Sequence, residues 1–275
     1  EQRWEPLALV YLSAGVSRIA IGTVLILVRP GEFSAILGVA LGFWVPVVVA
    51  WFALRQPRAA RDVDEAHPNL ELLKEVGSSS QALLAFFALS NADILVARAV
   101  MSDSEAGLYA GGLILVKAIL FFPQFVVVIA FPQMSKQGAS RRALAAALAV
   151  SAAIGACGVL GTLLLPDLAL LFIGGDDFAG IKDDLWKFAI VGTLLAMLQL
   201  LVYSALARRQ GRAVLAIWTA LVVLVSIAVS LSTAVSLVLV VVVVDGALFA
   251  ALFALAASQP TVRPADQISA QPDAS

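Results

Sequence analysis

Eight long apolar stretches dominate the sequence, and each has about the length of the roughly 20 residues that a helix needs to cross a bilayer. The chain has 275 residues, of which 61% are hydrophobic and 13% charged, whereas an average soluble domain is about half apolar and about a quarter charged. We therefore predict an all-α fold, a polytopic membrane helix bundle of about eight transmembrane helices. The expected spans are Pro6–Val28, Phe33–Leu54, Ser78–Met101, Ala106–Phe131, Arg142–Leu165, Asp184–Ala207, Arg212–Leu231 and Ala234–Ala257.

The valine-rich run "LVLVVVVVDG" is typical of a strand in water. In lipid the backbone must satisfy its own hydrogen bonds, so we interpret this run as helix. A membrane β-barrel requires short segments of alternating polarity, and these spans do not alternate.

The charges of the connecting loops predict the orientation. The loops "RQPRAAR", "SKQGASRR" and "RRQGR" are basic, whereas "SDSE" and "GGDDFAGIKDD" are mainly acidic. Basic loops face the cytoplasm. With eight spans both ends of the chain are then cytoplasmic, although Arg29 and Lys182 fall on the outer side.

The longest internal loop divides the chain. Residues 55–77 carry two prolines and many charges, and we interpret them as a cytoplasmic linker between residues 1–54 and the six spans of residues 78–257. The end of the linker, "NLELLKEVG", predicts either a short amphipathic interfacial helix or a solvated segment. The polar tail 258–275 contains prolines and is expected to be disordered.

Polar side chains inside the spans are the candidate functional residues, because a charge at the bilayer centre costs about 2.5–3.5 kcal/mol on insertion scales. Such groups usually face a bundle interior or a wet cavity. The candidates are Arg18, Asn91, Asp93, Lys117 and Gln124.

Asp93 is the main candidate, either as a functional carboxylate or as a structural one that is paired or protonated. Asn91 points about 200° away from it on a helix. Lys117 is too deep for its ammonium to reach the interface easily, and Asp93, in the middle of the preceding span, is the obvious nearby carboxylate. A direct pair or a shared wet cavity is therefore expected.

The other candidates carry weaker signals. Arg18 has no acidic neighbour on its own span, so an anionic ligand or a carboxylate elsewhere is expected to contact it. Gln124 follows Pro123, which can kink the helix and suits a helix lining a path. Asp245 and Gln199 are interpreted as structural hydrogen-bonding groups.

Several classes of function are disfavoured by the sequence. The single cysteine and the single histidine lie far apart, so we predict no metal site. No nucleotide-binding loop or nucleophile elbow is present, so we expect no cofactor and no enzymatic activity. No basic patch of the density needed for nucleic acid occurs.

One stretch resembles a known family. It is "NADILVARAVMSDSEAGLYAGGLILVKAILFFPQFVVVIAFPQMS", with Asn91 and Asp93, then Glu105, Gly107 and Tyr109 in a turn, and later Phe131-Pro132. The stretch resembles the polysaccharide-biosynthesis branch of the multidrug/oligosaccharidyl-lipid/polysaccharide flippase superfamily.

The resemblance implies a transporter of two six-helix bundles in a bacterial-type inner membrane. Residues 78–257 would form the second bundle and residues 1–54 the last two helices of the first, so the chain would be a fragment of a two-bundle transporter. The implied partner is a lipid-linked, phosphate-bearing glycan moved by alternating access. Neither the glycan nor an oligomeric state follows from the sequence.

Two alternatives remain open. An ion-coupled multidrug exporter shares the superfold and would use Asp93 as a proton or sodium site. A membrane glycosyltransferase is a different class, and the short outer loops oppose it.

Overall fold

The computed structural model describes residues 4–54, 69–134, 140–207 and 210–258. For residues 4–8, 53–54, 69–79, 122–134, 140–141 and 207 only the backbone is described. The linker of residues 55–68 and the tail from residue 259 lie outside the described residues, so the predictions for them stay predictions.

The described chain is helical throughout and contains no strand, which confirms the all-α prediction. Eight stretches of helix are long and apolar enough to cross a membrane, as a multi-pass membrane protein requires. The helices are α1 Trp4–Val28, α2 Glu32–Gly42, α3 Trp44–Leu54, α4 Asn69–Val100, α5 Asp103–Met134, α6 Ser140–Leu164, α7 Pro166–Ile173, α8 Leu185–Ala207, α9 Gly211–Ala228 and α10 Ala234–Ala257, with a 3-10 helix at Asp176–Asp184 before α8.

The second predicted span is interrupted between α2 and α3, at Phe43. Pro46 lacks the backbone N–H that would bond the carbonyl of Gly42 four residues earlier. The Ser17 hydroxyl of α1 donates a hydrogen bond of 2.9 Å to that carbonyl instead. A neighbouring side chain thus satisfies the acceptor that the proline leaves free.

Helix α4 differs most from its predicted start. It begins at Asn69 rather than at Ser78, so "NLELLKEVG" is helical and continuous with the transmembrane helix and is not a separate helix. Leu, Glu and Lys are strong helix formers, which explains why the helix extends backwards. Helix α5 is also longer than the predicted span Ala106–Phe131, and it continues through Pro123.

The chain divides into two compact units, one ending at Ala66 and the other beginning at His67. In the first unit α1 packs along α2 and α3. A Cβ atom on Gly38 would lie 2.5 Å from the Cα of Gly22, and one on Gly42 would lie 2.8 Å from the Cα of Arg18. Gly38 and Gly42, four residues apart, therefore let α2 approach the backbone of α1 closely.

In the second unit α8 is the central helix and packs against α5, α6 and α10, while α4 packs mainly against α9. Leu185, Phe188 and Leu198 of α8 are completely buried. Close approach to α5 depends on Gly192, where a Cβ atom would lie 2.9 Å from the carbonyl oxygen of Val116.

The segment between α6 and α8 contains the short α7 and the 3-10 helix. Pro166 occupies the start of α7, a position where its missing N–H costs nothing. Gly174 and Gly175 end the helix with φ values of 135° and 84°, which side chains disfavour. The N–H of Gly175 bonds back to the carbonyl of Leu170.

Candidate functional site

Asp93 lies in a buried polar cluster of the second unit. Its side chain is 3% exposed, and its Oδ2 accepts a hydrogen bond of 2.7 Å from the hydroxyl of Tyr109. Its Oδ1 accepts a second one, of 2.9 Å, from the backbone N–H of Ile94. A neutral hydroxyl and a backbone amide, rather than a cation, thus hold this carboxyl group.

The order of the helices explains why Asp93 and Tyr109 meet. The last turns of α4 and the first turns of α5 are joined only by Met101 and Ser102, so the two helices lie side by side. Tyr109 is completely buried, and its ring lies 5.5 Å from the ring of Phe188 on α8. This packing holds the hydroxyl in place against Asp93.

Asp245 of α10 adds a second buried carboxyl group to the cluster. It is 2% exposed, and its Oδ2 has no hydrogen-bond partner within the described part of the chain. The group lies close enough to Asp93 and Tyr109 to interact with both electrostatically. An ionised carboxylate in such surroundings is costly without a partner. The prediction that Asp245 is a structural hydrogen-bonding group has no support at this oxygen and stays a prediction.

Lys117 of α5 forms a separate polar contact with α4. Its ammonium donates hydrogen bonds of 3.0 Å to the carbonyl of Ser90 and 3.1 Å to Oδ1 of Asn91. The amide nitrogen of Asn91 bonds the carbonyl of Phe87 at 2.7 Å. Asn91 is thereby fixed with its oxygen towards the ammonium.

Of the two expected alternatives, a direct pair of Asp93 with Lys117 is wrong, because neither group is the other's hydrogen-bond partner in the regions the structure describes, while a shared wet cavity stays a prediction. The two side chains interact only through space. Tyr109 and Lys117 lie eight residues apart on α5. Tyr109 meets Asp93, and Lys117 meets Asn91 instead.

Arg18 lies in the first unit and has no carboxylate partner among the residues described. Its guanidinium carbon lies 3.9 Å from the centre of the Phe43 ring, a cation–π contact. Its Nε atom is buried without a hydrogen-bond partner. The expectation of a carboxylate partner is therefore not met within the described residues, while the expectation of an anionic ligand stays a prediction.

Comparison with models of protein families, with curated proteins and with solved structures found no match to this chain. The family resemblance therefore stays a prediction, and the function has to be argued from the side chains themselves.

The last predicted candidate, Gln124, has a side chain outside the described residues. Gln199 donates to the hydroxyl of Tyr203 at 3.1 Å, while its Oε1 is buried without a partner. No group of three or more His, Cys, Asp or Glu residues that could hold a metal ion occurs in the described ranges.

Sequence reasoning missed the roles of Tyr109, Ser90 and Glu105. Tyr109 and Glu105 were visible only as parts of the turn at the start of α5. In the structure Oε2 of Glu105 accepts a hydrogen bond of 2.7 Å from the backbone N–H of Ala234, at the start of α10. Their spacing of four residues places both on one face of α5, which was the available signal. The contribution of Ser90 comes from its backbone, which no sequence motif reveals.

The second unit thus carries two chemically different polar groups. The cluster of Asp93, Tyr109 and Asp245 is acidic and buried, and it can hold a proton or a small cation. The contact of Lys117 with Asn91 and Ser90 is cationic and more accessible, and it can bind an anion.

Proposed function

We propose that this protein is part of a transporter that moves an anionic, lipid-linked glycan across a membrane by alternating access. The support is the resemblance of the stretch from Asn91 to Ser135, together with eight helices long enough to span a bilayer. The observation that carries the proposal is the set of hydrogen bonds made by the Lys117 ammonium.

That ammonium has three N–H donors, and protein acceptors take up two of them. Both acceptors are neutral, so the positive charge has no hydrogen-bonded carboxylate in the described part of the chain. Lys117 is an exposed residue of the second unit, although it lies about midway along a membrane span. A cation held at that depth suits a phosphate oxygen as its third partner.

Arg18 supports the same proposal from the first unit. Its guanidinium is positioned by Phe43 but is not neutralised by any described carboxylate. A guanidinium matches the geometry of a phosphate with two parallel hydrogen bonds. Phosphate is the charged, constant part of lipid-linked glycans, so a fixed cation could bind it while the sugars vary.

The test is binding of a polyprenyl diphosphate to the purified chain in lipid nanodiscs. Replacing Lys117 by Gln removes the charge and is expected to weaken binding about tenfold or more, because charged hydrogen bonds contribute about 1.5–3 kcal/mol. Lys117→Arg should retain most of the affinity. Equal affinity of the Gln variant and the unmodified chain would contradict the proposal.

Lys187→Gln is the matched control. Lys187 makes an ion pair with Asp184 next to the polar 3-10 segment, outside the proposed site. The same charge is lost there, so this variant should bind the diphosphate normally. A similar loss of affinity in both variants would indicate a general charge effect instead of a site.

A second candidate function is ion-coupled export of a cationic compound, and the buried acidic cluster favours it. Asp93 and Asp245 lie close together, and Oδ2 of Asp245 lacks a partner among the described residues. A proton or a sodium ion would offset the cost of burying these groups. In this case Asp93→Asn would abolish dye efflux driven by an ion gradient, while Lys117→Gln would leave it intact.

A further inference from the structure

Helix α7 has two unlike faces. Ala169, Leu170 and Ile173 are buried within the second unit. The opposite side exposes three large apolar side chains, with exposed fractions of 60% for Leu168, 71% for Leu171 and 59% for Phe172. The outward side therefore consists of hydrocarbon and one aromatic ring.

The position of α7 in the chain places it at the end of the membrane spans. Only Leu165 separates it from α6, and the glycine turn after it leads directly into the polar Asp176–Asp184 segment. Trp186, in the first turn of α8, lies under the ammonium of Lys187. Tryptophan is enriched at the interface between membrane and water, so Trp186 indicates that the first turn of α8 lies near this interface.

The length of α7 excludes a spanning role. Eight residues of helix extend about 12 Å, whereas the hydrocarbon core is about 30 Å thick. A helix this short, apolar on the outside and next to a charged segment, is suited to lie along the boundary between membrane and water. Asp167 at its start pairs with Lys182 of the 3-10 helix, which joins the two pieces on the polar side.

We infer that α7 is an interfacial helix, and that the face formed by Leu168, Leu171 and Phe172 contacts membrane lipid. Leu160 and Leu164 of α6, the apolar span that precedes α7, are also exposed, and lipid is expected to cover such side chains on a membrane span. Lipid at the boundary of headgroups and acyl chains matches such a surface.

The inference can be tested with spin labels on the whole chain in phosphatidylcholine liposomes. Cys157 is first replaced by Ser, and single cysteines are introduced at Leu168, Leu171 or Phe172. Collision rates are measured with oxygen, which concentrates in lipid, and with a water-soluble nickel chelate. We expect the ratio of oxygen to nickel collisions at all three positions to exceed the ratio at Asp177 several-fold.

Two reference labels calibrate the result. Leu160 on α6 gives the value for lipid, and Asp177 on the 3-10 helix gives the value for water, since both are exposed. A ratio at Leu171 equal to that at Asp177 would show that water covers the face. Low collision rates with both reagents would show that protein covers it. Either result at two of the three positions would overturn the inference, so one misfolded variant does not decide it.

Discussion

The hydroxyl of Tyr109 donates a hydrogen bond of 2.7 Å to Oδ2 of Asp93, and both side chains are buried between α4 and α5. The tyrosine takes the place that a cation was expected to occupy. Asp93 therefore depends on a donor that carries no charge, while Lys117 remains available to other partners.

Tyr109→Phe should destabilise the second unit. The change leaves the ring against Phe188 but removes the donor from a buried carboxyl group, which costs about 1–3 kcal/mol. The free energy of unfolding can be measured by titration with SDS in mixed micelles. Tyr11→Phe is the control, because Tyr11 is 67% exposed and the chemical change is the same. Equal stability of the two variants would show that the hydrogen bond contributes nothing.

Glu105 should stabilise the start of α10. Its carboxylate accepts the N–H of Ala234, one of the first N–H groups of α10, which lack partners within the helix. Glu105→Ala is expected to cost about 0.5–2 kcal/mol, like the loss of a helix cap. Hydrogen exchange at the first turn of α10 should become faster accordingly.

Glu105→Gln keeps a side-chain oxygen as acceptor and should recover most of the protection. Asp103→Ala is the matched control, because Asp103 forms only an exposed ion pair with Arg98. Such pairs contribute about 0–1 kcal/mol. Unchanged exchange in Glu105→Ala would mean that the contact does not hold α10.

Two glycine substitutions should have opposite effects on stability. In Gly192→Ala the new Cβ would lie 2.9 Å from a backbone oxygen of α5, which cannot move aside alone, so we expect a loss of about 1–3 kcal/mol. In Gly161→Ala nothing lies within 4 Å of the new Cβ, and helix propensity favours alanine by up to about 1 kcal/mol. Thermal unfolding in detergent measures both, and shifts in the same direction would contradict the packing.

The loop charges predict the orientation in the membrane. In a chain with Cys157 replaced by Ser, cysteines at Ser104 and Gly175 should react with an impermeant thiol reagent added to intact cells. Cysteines at Gly138 and Gln210 should react only after the membrane is permeabilised. Labelling of Gly138 in intact cells would reverse the assignment.

The helices could be predicted because their causes are local in the sequence. A bilayer requires about 20 apolar residues per span and a backbone that bonds within its own segment, and both can be counted along the chain. The span Ala234–Ala257 was predicted with the bounds that α10 has. Pro46 is a local signal for the break at Phe43. The hydroxyl that bonds the free carbonyl of Gly42, however, belongs to Ser17 on another helix.

The partners of the polar side chains were decided by the tertiary structure. The sequence placed Asn91, Asp93 and Lys117 at membrane depth and showed that Asn91 and Asp93 diverge. Tyr109 and Lys117 both lie on α5, eight residues apart, so each could in principle meet either of these two α4 side chains. Packing of α4 against α5, α8 and α9 decided the pairing, in which Asp93 contacts Tyr109 and Asn91 contacts Lys117. Such packing depends on contacts between residues far apart in the chain, which no local pattern encodes.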